Sequence, residues 1–140
     1  MFTTPQVNLY SSDVERTAAF YSHLGFVESF RTPMHAAADH VELKLEGLTL
    51  GVGSAAAGIR EHGLDIRLDE RGRGAEVVLW THDVDAAFLL AMSHGARVLL
   101  DPHDVRGLRI AYVLDPDDNP VKFVQHRDLS DSPAGPDIEE

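Results

Sequence analysis

His40 and Glu42 stand two residues apart, a spacing that puts both side chains on one face of a strand, and His35 lies upstream. Two readings follow. The three form a two-histidine, one-carboxylate metal centre, or they are polar residues on the outer side of a strand whose Val41, Leu43 and Leu45 turn inward. Trp80, the sole tryptophan, and Tyr10 supply flat faces on which an aromatic or cationic compound can stack. Other chemistries are excluded. The absence of cysteine removes disulfides, thiolate zinc sites and a thiol nucleophile. The run Gly51-Val52-Gly53-Ser54-Ala55-Ala56-Ala57-Gly58 fits neither the dinucleotide nor the P-loop glycine pattern; its small residues instead let a ligand or another subunit come close.

These side chains are placed by a framework that occurs twice. Val7-Asn8-Leu9-Tyr10-Ser11-Ser12-Asp13-Val14 aligns with Val77-Val78-Leu79-Trp80-Thr81-His82-Asp83-Val84, and Gly25 aligns with Gly95. The alternation of Val7 and Leu9 with Asn8 and Tyr10 predicts a strand packed on one face. Asp13 and Asp83 are expected helix N-caps, and Gly25 and Gly95 the residues that stop each helix. Between them Val14, Ala18 and Tyr21, and Val84, Phe88 and Ala91, recur at helical spacing. His23 and His94 fall in the last turns, where a cation suits the helix dipole.

Short β segments are expected after each helix: 27–31, 40–45 and 48–53 in the first half, and 97–100, 108–114 and 121–125 in the second. Glu46-Gly47 is a hairpin turn, Asp115 to Pro120 a longer one, and His103-Asp104 a loop. The chain thus divides into a first βαβββ module (1–56), a connection (57–75) in which Ile66-Arg67-Leu68 is a short strand or loop, a second module (76–127), and an acidic tail (128–140) read as disordered.

The order of elements, with Asp13-Val14-Glu15-Arg16, Phe20-Tyr21, Leu24-Gly25-Phe26, Asp83-Val84-Asp85-Ala86-Ala87 and Asp115-Pro116-Asp117-Asp118-Asn119-Pro120-Val121, resembles the vicinal oxygen chelate superfamily. That superfamily includes glyoxalase I, extradiol dioxygenases, fosfomycin-resistance enzymes and bleomycin-resistance proteins. The resemblance implies an α+β fold in which two βαβββ modules form a curved, mixed eight-stranded sheet around a cavity. It also implies a homodimer. Metal-binding relatives carry one ligand on the first and one on the last strand of each module, and those places fall on Gln6, Gly51, Glu76 and Lys122. Gly51 has no side chain and Lys122 is a cation, so no metal cofactor is expected unless a divalent ion sits away from the family positions. A Glu76–Lys122 ion pair in the emptied site is one expectation; both side chains reaching into solvent is the other.

Strand alternation from those places puts Gln6, Asn8, Tyr10, Thr49, Gly51, Gly53, Glu76, Val78, Trp80, Lys122, Val124 and His126 on the inner face. Gln6, Asn8, Tyr10, Gly51, Glu76, Trp80, Lys122 and Val124 are the expected ligand-binding set, with Glu76 and Lys122 catalytic if there is a reaction. The expected function is metal-independent binding of a small aromatic or cationic compound. The alternative is a lyase, isomerase or dioxygenase of the same superfamily, with or without a metal.

Composition bounds the partners. The net charge is −11, and 128–140 hold five acids and no base, which leaves −6 on the rest. An acidic body repels phosphate, so nucleic acid and anionic membranes are not expected partners. No targeting signal or membrane-spanning apolar run is read, and a cytoplasmic protein is expected. Ten Arg against two Lys fits a bacterial genome of high GC content.

Overall fold

The structure is a computed structural model that describes residues 1–127, so the tail at 128–140 lies outside the described residues. Each half opens as its punctuation dictates. β1 (Val7–Ser11) feeds α1 (Val14–His23), and β5 (Val77–Trp80) feeds α3 (Val84–Ser93). Asp13 accepts the Arg16 N–H at 3.2 Å and Asp83 the Ala86 N–H at 3.0 Å, satisfying donors that the first turn leaves free. Gly25 and Gly95 follow the helices with φ of 111° and 96°, a conformation that costs glycine little.

Three strands follow each helix: β2 (Val27–Thr32), β3 (His40–Leu45) and β4 (Leu48–Ser54), then β6 (Arg97–Val105), β7 (Leu108–Leu114) and β8 (Pro120–His126). The eight strands stand as two four-stranded mixed sheets, ordered β1-β4-β3-β2 and β5-β8-β7-β6, and not as one continuous ladder. In each, the first strand of the module runs parallel to its last.

One expectation is corrected and one element is added. His103-Asp104 belongs to β6, which continues through Pro102 to Val105. An edge strand tolerates proline, whose missing N–H can face away from the ladder, and Arg109 holds Asp104 across the strands at 2.9 Å. An unanticipated helix, α2 (Ala55–His62), crosses from the end of the first module into the connection. Ser54 caps it by accepting the Ala57 N–H at 3.0 Å, and Gly63 ends it with φ 67°. Residues 66–68 form no strand.

A single apolar cluster serves both halves. Val14, Ala18, Phe20 and Tyr21 of α1 and Val84 and Ala91 of α3 join Val41, Leu43, Leu50 and Val52 from the first sheet and Ala111, Val113, Val121 and Phe123 from the second. A polar lock crosses the same boundary. Buried Asp115 accepts the Tyr21 O–H at 2.7 Å, and Asp117 accepts the Ser12 N–H and O–H, each at 3.1 Å, and the Thr17 O–H. Arg73 of the connection donates to the Asp117 carbonyl at 3.0 Å. The Asp-Pro-Asp turn therefore fastens the second module to the β1–α1 corner of the first.

That lock is pH-sensitive. Burial pushes Asp117 upward, but hydrogen bonds from Ser11, Thr17 and Ser12 outweigh it and hold the carboxyl below its ordinary value. A depressed native pKa means the unfolded state takes up the proton first on acidification. The stabilisation is complete above about pH 4, where an unfolded Asp is ionised, and drains away as pH falls through the lowered native value. Urea unfolding from pH 6 to pH 3 is expected to show the loss, reduced in Asp117→Asn; an equal pH slope in both would contradict it.

Candidate functional site

The core residues of each sheet alternate with a second set facing away from the helices, and ladder register sorts that set into rows. In the first sheet, Asn8, Gly51 and Glu42 are side by side on β1, β4 and β3, as are Tyr10, Gly53 and His40. In the second, the rows are Val78, Lys122 and Tyr112, then Trp80, Val124 and Ile110. The repeat thus pairs Tyr10 with Trp80 and Gly51 with Lys122, but the two faces differ in character.

The first face is polar. Gln6 Nε2 donates to Asn8 Oδ1 at 2.9 Å and to Glu42 Oε2 at 3.2 Å, and His40 Nε2 meets the same Glu42 oxygen at 3.1 Å. Glycine at 51 makes this possible. A Cβ there would overlap Asn8 Oδ1 and stand 2.9 Å from His40 Cε1, so the flanking side chains occupy the room a side chain would need. His40 and Glu42 are not a solvated strand face; their side chains are only 24% and 26% exposed. His35 is exposed and outside this network, and among the described residues no group of three His, Cys, Asp or Glu is placed to hold a metal ion.

The second face is apolar and aromatic. Val124 packs with Leu108 and Ile110 in a small cluster that Val105 and Tyr112 complete. Trp80, 40% exposed, lies 4.9 Å from His126 ring to ring. Lys122 reaches over Tyr112, 5.9 Å from its centroid. Among the described residues no ion pair joins Lys122 to Glu76, which overturns that expected pairing. The physical reason is register: Lys122 is level with Val78, one row beyond exposed Glu76, and its stem extends across the sheet instead.

Three hollows border these faces. A groove of 690 Å³ runs beside β5, lined by Trp80, Val78, Leu24, Leu48 and Leu90 among others. One of 590 Å³ lies between β1 and the connection and includes Asn8, Tyr10 and Glu76. A third, of 330 Å³, is lined by Asn8, Tyr10, His40 and Gly53 beneath α2. The small residues at 54–58 serve here: a Cβ on Gly58 would stand 3.3 Å from the Tyr10 ring, so glycine lets the helix lie on it. The expected ligand-binding residues therefore do not meet in one hollow. Gln6, Asn8, Tyr10 and Gly51 lie on the first sheet and Trp80, Lys122 and Val124 on the second.

Sequence reasoning left Glu42 and Gln6 unconnected and did not place Tyr112, Leu108 or Ile110. A signal existed for the first. A two-residue turn at Glu46-Gly47 sets the register of the hairpin, which puts Glu42 opposite Gly51 and His40 opposite Gly53.

The doubled βαβββ unit, with open inner faces, has a clear counterpart among known proteins. Residues 3–123 match the Glyoxalase/Bleomycin resistance protein/Dioxygenase superfamily. The chain belongs to that superfamily. Solved structures with the superfamily fold include a hypothetical protein, SA1046, from S. aureus (TM-score 0.75, 20% identity, covering 89% of this chain and 94% of that one). TioX from Micromonospora sp. ML1 has TM-score 0.66 and 23% identity, over 89% of this chain and 99% of its own. A glyoxalase-related enzyme from Fulvimarina pelagi has TM-score 0.74 and 18% identity, over 89% of each chain. At these identities the likeness is one of fold. No match is found among curated proteins. Among the described residues no helix is long and apolar enough to cross a membrane.

Proposed function

We propose that this superfamily member binds a small, flat aromatic or cationic compound on its inner faces without a resident metal. The observation that carries the reading is Trp80, half-exposed against His126 and lining the 690 Å³ groove, a placement that keeps an aromatic face available instead of burying it. Glu46 and Asp83 line the same groove and lend it negative charge. The metal-free part rests on the donor set. At the four family positions Gly51 offers nothing, Lys122 repels a cation, and Gln6 is engaged with Asn8 and Glu42.

The functional unit in this reading is a dimer. β6 is an edge strand with Val98, Leu99 and Leu100 exposed in succession, and Leu89 and Leu90 are exposed on α3. An uncovered apolar edge of that kind favours a partner. Sedimentation at micromolar concentration is expected to give twice the chain mass.

Titration with proflavine, a planar cation, is expected to quench Trp80 fluorescence saturably. Calorimetry should show Trp80→Ala binding it more weakly by about 1–3 kcal/mol with little change in stability. Equal affinity in the variant, or large destabilisation with unchanged affinity, would return Trp80 to the role of filler. Mass spectrometry after incubation with Ni, Zn, Mn and Fe and removal of excess is expected to find less than one metal per chain; one per chain would defeat the metal-free reading.

A further inference from the structure

The geometry points to a proton-transfer site on the first module, in which His40 is the base that removes a proton from a neutral carbon acid, a compound with a C–H beside a carbonyl or comparable acceptor. This goes beyond binding and does not use Trp80.

The orientation of the imidazole carries the argument. A carboxylate only accepts, so the Glu42 contact at 3.1 Å places the His40 proton on Nε2. In the neutral ring Nδ1 then keeps its lone pair, and among the described residues no hydrogen bond reaches it. It lies 3.4 Å from where a Cβ at Gly53 would stand, and glycine leaves that space open to the 330 Å³ hollow. Glu42 is fixed in turn by Gln6, so a chain of hydrogen bonds runs from Gln6 through the carboxylate to the ring. Glu42 and Gln6 are positioning residues; His40 is the group that meets the substrate.

The same hollow holds donors for the charge such a reaction creates. Asn8 uses its carbonyl oxygen on Gln6, which leaves its amide N–H groups without an acceptor among the described residues. The Tyr10 ring lies on the other side of Gly53, 3.6 Å from the same notional Cβ, and its O–H also has no partner among them. A base with two uncommitted donors around one small space is the arrangement that enolate formation needs. Proton removal breaks the C–H bond, forms Nδ1–H, and moves the electron pair onto the carbonyl oxygen, where Asn8 and Tyr10 can donate to it. Return of that proton from Nδ1 to the same carbon re-forms the C–H bond, and delivery to the opposite face gives an epimerisation, with no oxidant or co-reactant. Asp39 and Glu61 line the hollow as well, which favours a neutral substrate over an anionic one.

The test uses 5-nitrobenzisoxazole, a neutral planar probe. Loss of its C–H proton to a base forms a nitrile, breaks the N–O bond and releases a coloured phenolate. The full-length protein is expected to open it saturably and faster than free imidazole at equal concentration. His40→Gln is expected to lower the rate by about 10²-fold or more, the usual contribution of a placed base. Glu42→Gln should lower it less, while ¹⁵N spectra show the ring losing its Nε2–H tautomer. An undiminished rate in His40→Gln, a wild-type rate no better than imidazole, or an Nδ1–H tautomer in the wild type would each overturn the assignment. Proflavine quenching in His40→Gln separates the two readings: retained quenching with lost turnover implicates the base alone, whereas Trp80→Ala bears on binding alone.

Discussion

Asp115→Ala is expected to lower the unfolding free energy by about 2–5 kcal/mol, because each buried donor left without its acceptor costs about 1–3 kcal/mol. Asp115 is fully buried and accepts the Tyr21 O–H at 2.7 Å, the Asp117 N–H at 2.8 Å and the Asn119 N–H at 2.9 Å. Alanine leaves the buried Tyr21 O–H and Asp117 N–H, and the half-buried Asn119 N–H, without their acceptor. Burial, together with the neighbouring Asp115 and Asp117 carboxylates, pushes the Tyr21 phenol well above its ordinary value, so it remains a donor across the physiological range. Tyr21→Phe should cost less, because it removes one donor and leaves the backbone bonds to Asp115 intact. Urea denaturation of the three proteins gives the ranking. Equal stability of Asp115→Ala and wild type would mean that the turn does not fasten the modules.

Leu50→Ala should cost about 2–5 kcal/mol for a different reason, lost apolar contact and the void it leaves. Leu50 is 1% exposed and stands opposite Leu43, itself fully buried, on the core face of the β3–β4 hairpin. Its neighbour Gly51 faces the other way, beneath Asn8 and His40. The substitution is therefore expected to weaken folding while leaving proflavine affinity and the tautomer of His40 as in wild type at temperatures where the protein stays folded. A changed His40 ring spectrum in that variant would show that the two faces of the sheet are coupled, against the separation that alternation implies.

Together with Trp80→Ala, these substitutions separate roles that share a few ångströms of strand. Trp80 is placed to act on binding with little effect on folding, Leu50 on folding with little effect on binding. Asp115 acts on how the halves are held together.

Much of this arrangement is local and so legible in one dimension. Asp13 and Asp83 cap helices because their own carboxylates reach N–H groups three residues on. The alternation in Val7 to Tyr10 and Val77 to Trp80 decides which side chains meet the core, since successive strand residues point to opposite faces. α2 was written in the same code, a serine cap, three alanines and a terminal glycine, but the glycines at 51, 53 and 58 masked it. The expected strand at 97–100 stops short of the observed β6, which runs on through Pro102, because nothing in the local sequence says that a strand will lie at an edge where proline is harmless.

The site divides along the same line. The repeat and strand alternation by themselves determined that Tyr10 and Trp80 hold equivalent positions on one strand face, and residue type that Gly51 and Lys122 are poor ligands at the metal places the resemblance implies. Only the tertiary structure decided which of those residues touch. Lys122 takes Tyr112 and not Glu76, because the reach of a side chain depends on strands brought alongside from elsewhere in the chain. Gln6, Asn8, His40 and Glu42 come together over Gly51 because β1, β4 and β3 are adjacent, a fact of sheet order that composition and periodicity do not contain. Glycine at 51 read as a missing ligand in the sequence; in space it is the gap that its neighbours' side chains fill.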